Sequence, residues 1–148
     1  MAVGEAAHPL AGLVGEPLPG GRWSAAAYES WLTSYAVYGE PGGPPHPVSA
    51  FIGVQRGLGL TVAELFAHLG SSIEDGPMLA ECTMEFPGVV RDDQVYEVSG
   101  TVQEVRRKSG RTMGVFDLVT CRFELSSDEG PVAAVTNVYA VPRPGEAS

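Results

Sequence analysis

The spacing of apolar residues changes once along this chain, near Gly76. Beyond it the period is two. Met78, Ala80, Cys82, Met84 and Phe86 alternate with Leu79, Glu81, Thr83 and Glu85, and Pro87-Gly88 ends the run. Tyr96, Val98, Gly100 and Val102 alternate with Glu97, Ser99, Thr101 and Gln103, up to a turn at Ser109-Gly110. Met113, Val115, Val119, Cys121, Phe123 and Leu125 then share one face, with Asp117 in the same row. After Asp128-Glu129-Gly130 the segment Val132 to Val141 is apolar on both faces, as a strand inside a sheet is. Period-two runs broken by turn residues predict four consecutive strands from Met78 to Arg143 with no helix between them. Two of them exceed the usual length, which predicts strong coiling.

Before Gly76 the spacing is helical. Ser24 offers an N-cap, and Tyr28, Trp31, Leu32 and Tyr35 recur at i, i+3, i+4 and i+7, so a helix with one apolar face is expected, closed by Gly39. The segment from Gly39 to Pro47 holds four prolines and three glycines in nine positions and must be loop. His46 to Gly70 is the most apolar block of the chain. It reads as a Gly-containing helical piece, Val48 to Arg56, and a second one opened by the T-x-x-E capping box of Thr61 and Glu64. A helix followed by an uninterrupted antiparallel meander, in 148 residues, has one packing solution: the sheet curls around the helix. The expectation is a single α+β domain over 21–144, with an irregular lead-in, 1–20, that includes a short strand near Leu10–Val14, and a tail, 145–148.

Composition narrows the function. The net charge of −9 argues against nucleic acid as a partner. No apolar run of 18 residues suggests a membrane span, and the N-terminus has no basic n-region or apolar h-region, so a cytoplasmic protein is expected. Cys82 and Cys121 then read as buried small hydrophobes. No Cys/His spacing supports a metal site, and no glycine-rich loop follows a strand as a nucleotide site requires, so no cofactor is expected. The few cations are concentrated: Arg106, Arg107, Lys108 and Arg111 are four of the nine bases.

Several stretches resemble one family. Gly76-Pro77-Met78-Leu79-Ala80-Glu81, Phe86 to Asp93, the strand Val102 to Lys108 with Gly110, and Asp117 are similar in order and spacing to the hotdog fold, and more narrowly to MaoC-like dehydratases, the group containing (R)-specific enoyl-CoA hydratases. The helix Tyr28–Tyr38 ending in Gly39-Glu40, and Pro44-Pro45 leading into an apolar helix, fit the same pattern; the resemblance covers about residues 20–143. It implies hydration of an enoyl thioester or the reverse dehydration, with closely spaced catalytic Asp and His before the central helix acting as acid and base on one water. A backbone N–H at the helix N-terminus would polarise the thioester carbonyl. Here that loop offers one acid and one His, Glu40 and His46, six apart and separated by prolines and glycines, so the dyad in its usual form is lost.

The expectation is therefore a subunit like the non-catalytic N-terminal half of two-domain hydratases, shaping the acyl pocket for a catalytic hotdog partner in a homo- or heterodimer that binds acyl-CoA or an acyl-carrier thioester. Gly53 and Gly57 would leave room for the acyl chain, and Arg106, Arg107 and Lys108 would clamp its phosphates. The alternatives are an active lyase using Glu40, His46 or Asp117, and a thioesterase-like protein using Glu64. For these side chains the plainer readings are a proline-rich closing loop for Glu40 and His46, an outward-facing bulge for Asp117, helix capping for Glu64, and a solvated hairpin for the cations. His8 and His68 carry no chemistry on this reading.

Overall fold

A computed structural model describes residues 8–146. The elements are β1 (Gly21–Trp23), α1 (Ala27–Ala36), α2 (Val48–Gly57), α3 (Val62–His68), β2 (Met78–Glu85), β3 (Tyr96–Gly110), β4 (Gly114–Ser127) and β5 (Gly130–Pro142). All pairings between strands are antiparallel, in the order β1-β3-β4-β5-β2. The sheet wraps α2, which packs against β1, β3, β4 and β5. This is the hotdog arrangement. Residues 1–7 of the lead-in and 147–148 of the tail lie outside the described residues.

The four long strands form where the alternation places them, and β4 buries the expected row Val115, Val119, Cys121, Phe123 and Leu125. Two bulges shift the alternation elsewhere. One, between Leu79 and Glu81, turns Leu79, Cys82 and Met84 to the face that Tyr139, Asn137 and Val135 share with the core. The other, between Val102 and Glu104, brings Val105 and Arg107 onto the inner face. The hairpin turn lies one step later than Ser109-Gly110: those residues are still paired, and Gly114 takes the positive φ of 67°. The central helix bends by 69° between α2 and α3, at a break containing Gly59 with φ 81°. Neither piece is long and apolar enough to cross a membrane. The capping box of α3 forms as expected: the Glu64 N–H donates to Thr61 Oγ1 at 3.1 Å, and the Thr61 hydroxyl donates back to Glu64 Oε1 at 2.9 Å.

The two sheet edges differ. β1 covers β3 at Tyr96–Val98. Beyond it the lead-in takes over, with the Leu18 N–H donating to Gly100 O and the Gly15 N–H to Val102 O, both at 2.8 Å. The lead-in itself is a 3-10 turn, Ala11–Leu13, with isolated bridges at Val14 and Pro17, and not the strand expected near Leu10–Val14. At the opposite edge, all eight residues of β2 are exposed, and no described strand pairs with its outer side. One sheet edge is closed by the chain's own lead-in and the other is left open.

α1 departs from expectation. It begins at Ala27 with Ala26 as N-cap, so Ser24 does not cap it. It buries Ser30 and Ser34 and turns its aromatic face outward. Its C-terminus is a Schellman turn: Gly39 N–H donates to Ser34 O at 2.7 Å and Tyr38 N–H to Tyr35 O at 3.1 Å. The left-handed position is held by Tyr38, with φ 59°, and not by glycine.

Candidate functional site

The loop from Gly39 to Pro47 delivers its one imidazole to the head of α2. His46 Nδ1 accepts a hydrogen bond from the Val48 N–H at 3.1 Å, so the ring caps the first turn of the helix. Glu40 is exposed, and among the described residues neither a hydrogen bond nor an ion pair joins it to His46.

Beside this loop, α1 and α2 enclose a cleft of about 260 Å3 lined by Trp23, Tyr28, Leu32 and Ile52, with the hydroxyls of Ser30 and Ser49. Glu29 and Arg56, paired at 3.2 Å, line it too. The Ser30 hydroxyl donates to Asp92, which ties α1 to the β2–β3 connection. The cleft is half apolar and half polar, which suits a short chain ending in a carbonyl.

Gly53 and Gly57 do not open a space on the sheet side of α2. A Cβ on Gly53 would meet the Trp23 ring at 2.6 Å, and one on Gly57 would meet Val98 Cγ2 at 2.4 Å. The room these glycines leave is filled by Trp23 and Val98, so the acyl-channel reading gives way to close packing of helix on strand.

Asp117 is buried and points inward, not out on a bulge; it pairs in regular register with Arg107 and Val141. Its Oδ1 accepts from His8 Nε2 at 2.9 Å and Arg107 Nε at 3.0 Å, and its Oδ2 from Arg107 Nη2 at 3.2 Å and Arg143 Nε at 2.7 Å. Four donors fill the lone pairs of a carboxylate. Burial alone would push this carboxyl up, but the hydrogen bonds from Arg107, His8 and Arg143 outweigh it and hold the pKa at about 2. An acid so placed is ionised at neutral pH and has no proton to give. Arg143 also donates to Leu69 O at 2.8 Å and Gly70 O at 2.7 Å, closing the end of α3. Asp117 therefore knots the lead-in, β3, the end of β5 and α3 together. His8 and Arg143 carry no sequence signal for this, because they lie 109 and 26 residues from their partner.

The cation cluster is divided by the sheet. Arg107 belongs to the Asp117 knot and also pairs with Glu146, and Arg106 pairs with Glu104 at 3.5 Å. Among the described residues Lys108 and Arg111 have no such partner. Glu64 is engaged through Oε1 in its capping box, and His68 sits in the last turn of α3. Cys82 and Cys121 are free thiols, and burial pushes Cys121 up to about 12, so it is a packing residue. Cys82 is exposed on β2, not buried as expected. Among the described residues no three His, Cys, Asp or Glu side chains converge as metal ligands.

No family model matches the chain, and no curated protein matches it in sequence. Solved structures do match it in shape. A chain of the ChsH1–ChsH2 complex from Mycobacterium tuberculosis superposes with a TM-score of 0.62 at 13% identity, over 90% of this chain and 86% of that one. A MaoC-like dehydratase from Phytophthora capsici gives 0.62 at 8% identity over 88% of this chain. The match covers 47% of that dehydratase, so the chain spans about half its length. At these identities the likeness is one of fold: the chain has the hotdog fold of MaoC-like dehydratases.

Proposed function

We propose that this chain is a non-catalytic MaoC-like subunit that pairs through β2 with a second hotdog chain and shapes the acyl pocket of an enoyl-thioester hydratase or dehydratase. The observation that carries this reading is the state of His46: its Nδ1 is engaged by the Val48 N–H, and among the described residues no carboxylate is bonded to the ring. Asp117, the buried acid of the sheet, is locked by its cations. The partner would supply Asp and His, and this chain would supply the cleft between α1 and α2 for a cytoplasmic acyl-CoA or acyl-carrier thioester. Lys108 and Arg111, at the hairpin, are the cations left for its phosphates. No cofactor is needed for water addition. That one structure of similar fold is a complex of two different chains supports a heteromeric arrangement.

The open β2 edge supports the pairing. Leu79, Cys82 and Met84 lie on the core-facing side of the sheet, and none of the described elements covers them. Charges placed there disturb the interface and leave the folded chain alone. Mixed with a dyad-bearing hotdog chain, the protein is expected to form a one-to-one complex by light scattering. The double variant Leu79→Glu/Met84→Glu is expected to lose it while its own unfolding midpoint stays within about 0.5 kcal/mol, as for other surface changes. A double variant that still pairs like the wild type would refute this interface.

A further inference from the structure

Helix α1 has its amphipathic character reversed. It buries two serines and leaves Tyr28, Trp31, Leu32 and Tyr35 exposed by 67%, 47%, 54% and 66%. An amphipathic helix that covers a core does the opposite, and four large side chains exposed in one stripe mark a surface that something covers. Tyr38 extends the stripe and is 99% exposed. The Schellman turn that closes α1 holds it there in the left-handed conformation.

The end of the stripe has a definite chemistry. The rings of Trp31 and Tyr35 stack on one another at 5.4 Å with 5° between their planes, and the pair leaves an outer π-face exposed. With Tyr38, Glu40 and Pro41 they line an open groove of about 670 Å3. The Glu40 carboxylate has no ion partner among the described residues. An exposed π-face in the same groove as a carboxylate is complementary to a guanidinium, which stacks on π-faces and binds a carboxylate through two N–H groups. The −9 charge of the chain adds a field that draws cations in.

We infer that this groove docks an arginine on a basic segment of a partner protein, with the guanidinium stacked on the outer face of the Trp31–Tyr35 pair and paired with Glu40. Arginine is preferred over lysine because an ammonium cannot stack flat. The test titrates the full chain with a hexa-arginine peptide by calorimetry, and follows the fluorescence of Trp31, the exposed one of the two tryptophans. Trp31→Ala and Glu40→Gln are each expected to weaken binding about tenfold, and a hexa-lysine peptide to bind about tenfold more weakly than hexa-arginine. Glu81→Gln, which removes an acid on β2, is expected to leave binding unchanged. Equal loss in Glu81→Gln, or none in Glu40→Gln, overturns the inference, because it reduces the binding to diffuse attraction by an acidic chain. Light scattering provides the other arm. If the chain alone is an oligomer that Trp31→Ala disperses, a second copy covers the stripe and the inference fails.

Discussion

Asp117→Asn is expected to destabilise the fold by about 3–5 kcal/mol, the cost of removing one partner from a buried ion pair. The substitution keeps the shape of the side chain and deletes the charge that Arg107 and Arg143 converge on. It leaves the guanidinium donors of Arg107 and of the largely buried Arg143 facing an amide that must present its own N–H groups to them. The loss is felt in four places at once, because the same carboxylate holds His8 of the lead-in and, through Arg143, the carbonyls of Leu69 and Gly70. Urea unfolding reads the loss as a shifted midpoint with an unchanged slope. A variant within about 1 kcal/mol of the wild type would mean that the knot is solvated and weak.

The pH dependence follows from the same carboxylate, whose pKa is lowered from 3.8 to about 2 in the folded chain. A lowered folded-state pKa gives stability that is present above the unfolded value and lost as pH falls through the folded one. The knot is thus at full strength above about pH 4 and loses on the order of 2 kcal/mol by pH 2. Asp117→Asn is expected to flatten that part of the stability curve.

Gly21→Ala is expected to cost about 3 kcal/mol, at the upper end of overpacking, because nothing at this contact can give. A Cβ on Gly21 would lie 2.2 Å from Gly57 O and 3.5 Å from Gly59 N. These are backbone atoms of the break between α2 and α3, so relief requires the whole helix to lift from β1. Lifting it also separates Trp23 from Gly53, which carries much of the contact between helix and sheet edge. The same measurement checks it. A loss below about 1 kcal/mol would show that α2 is free to shift, and would restore the reading in which the glycines leave space for a ligand.

The strands were legible because burial imposes period two on them, and β4 keeps that period from Val115 to Leu125 without interruption. The start of α3 was legible because Thr61 and Glu64 encode a contact three residues long. Features set by distant partners left no such trace. β1 is three residues that make sense only opposite Tyr96–Val98, and Trp23 fills the glycine faces of a helix that begins 25 residues later. Asp117 was visible as an acid in an apolar row, but the bulges that bring Arg107 under it lie outside any repeating pattern. The apolar face of α1 was legible but its exposure was not, because periodicity reports which residues share a face and not what covers it.

On the proposed reading the chain has no hydratase chemistry of its own. Hydration of crotonyl-CoA by the purified chain, with and without a dyad-bearing hotdog partner, tests it most directly. The expected result is a rate equal to buffer for the chain alone, unchanged by His46→Ala, and activity only with the partner present. Hydration by the chain alone that His46→Ala abolishes would contradict it.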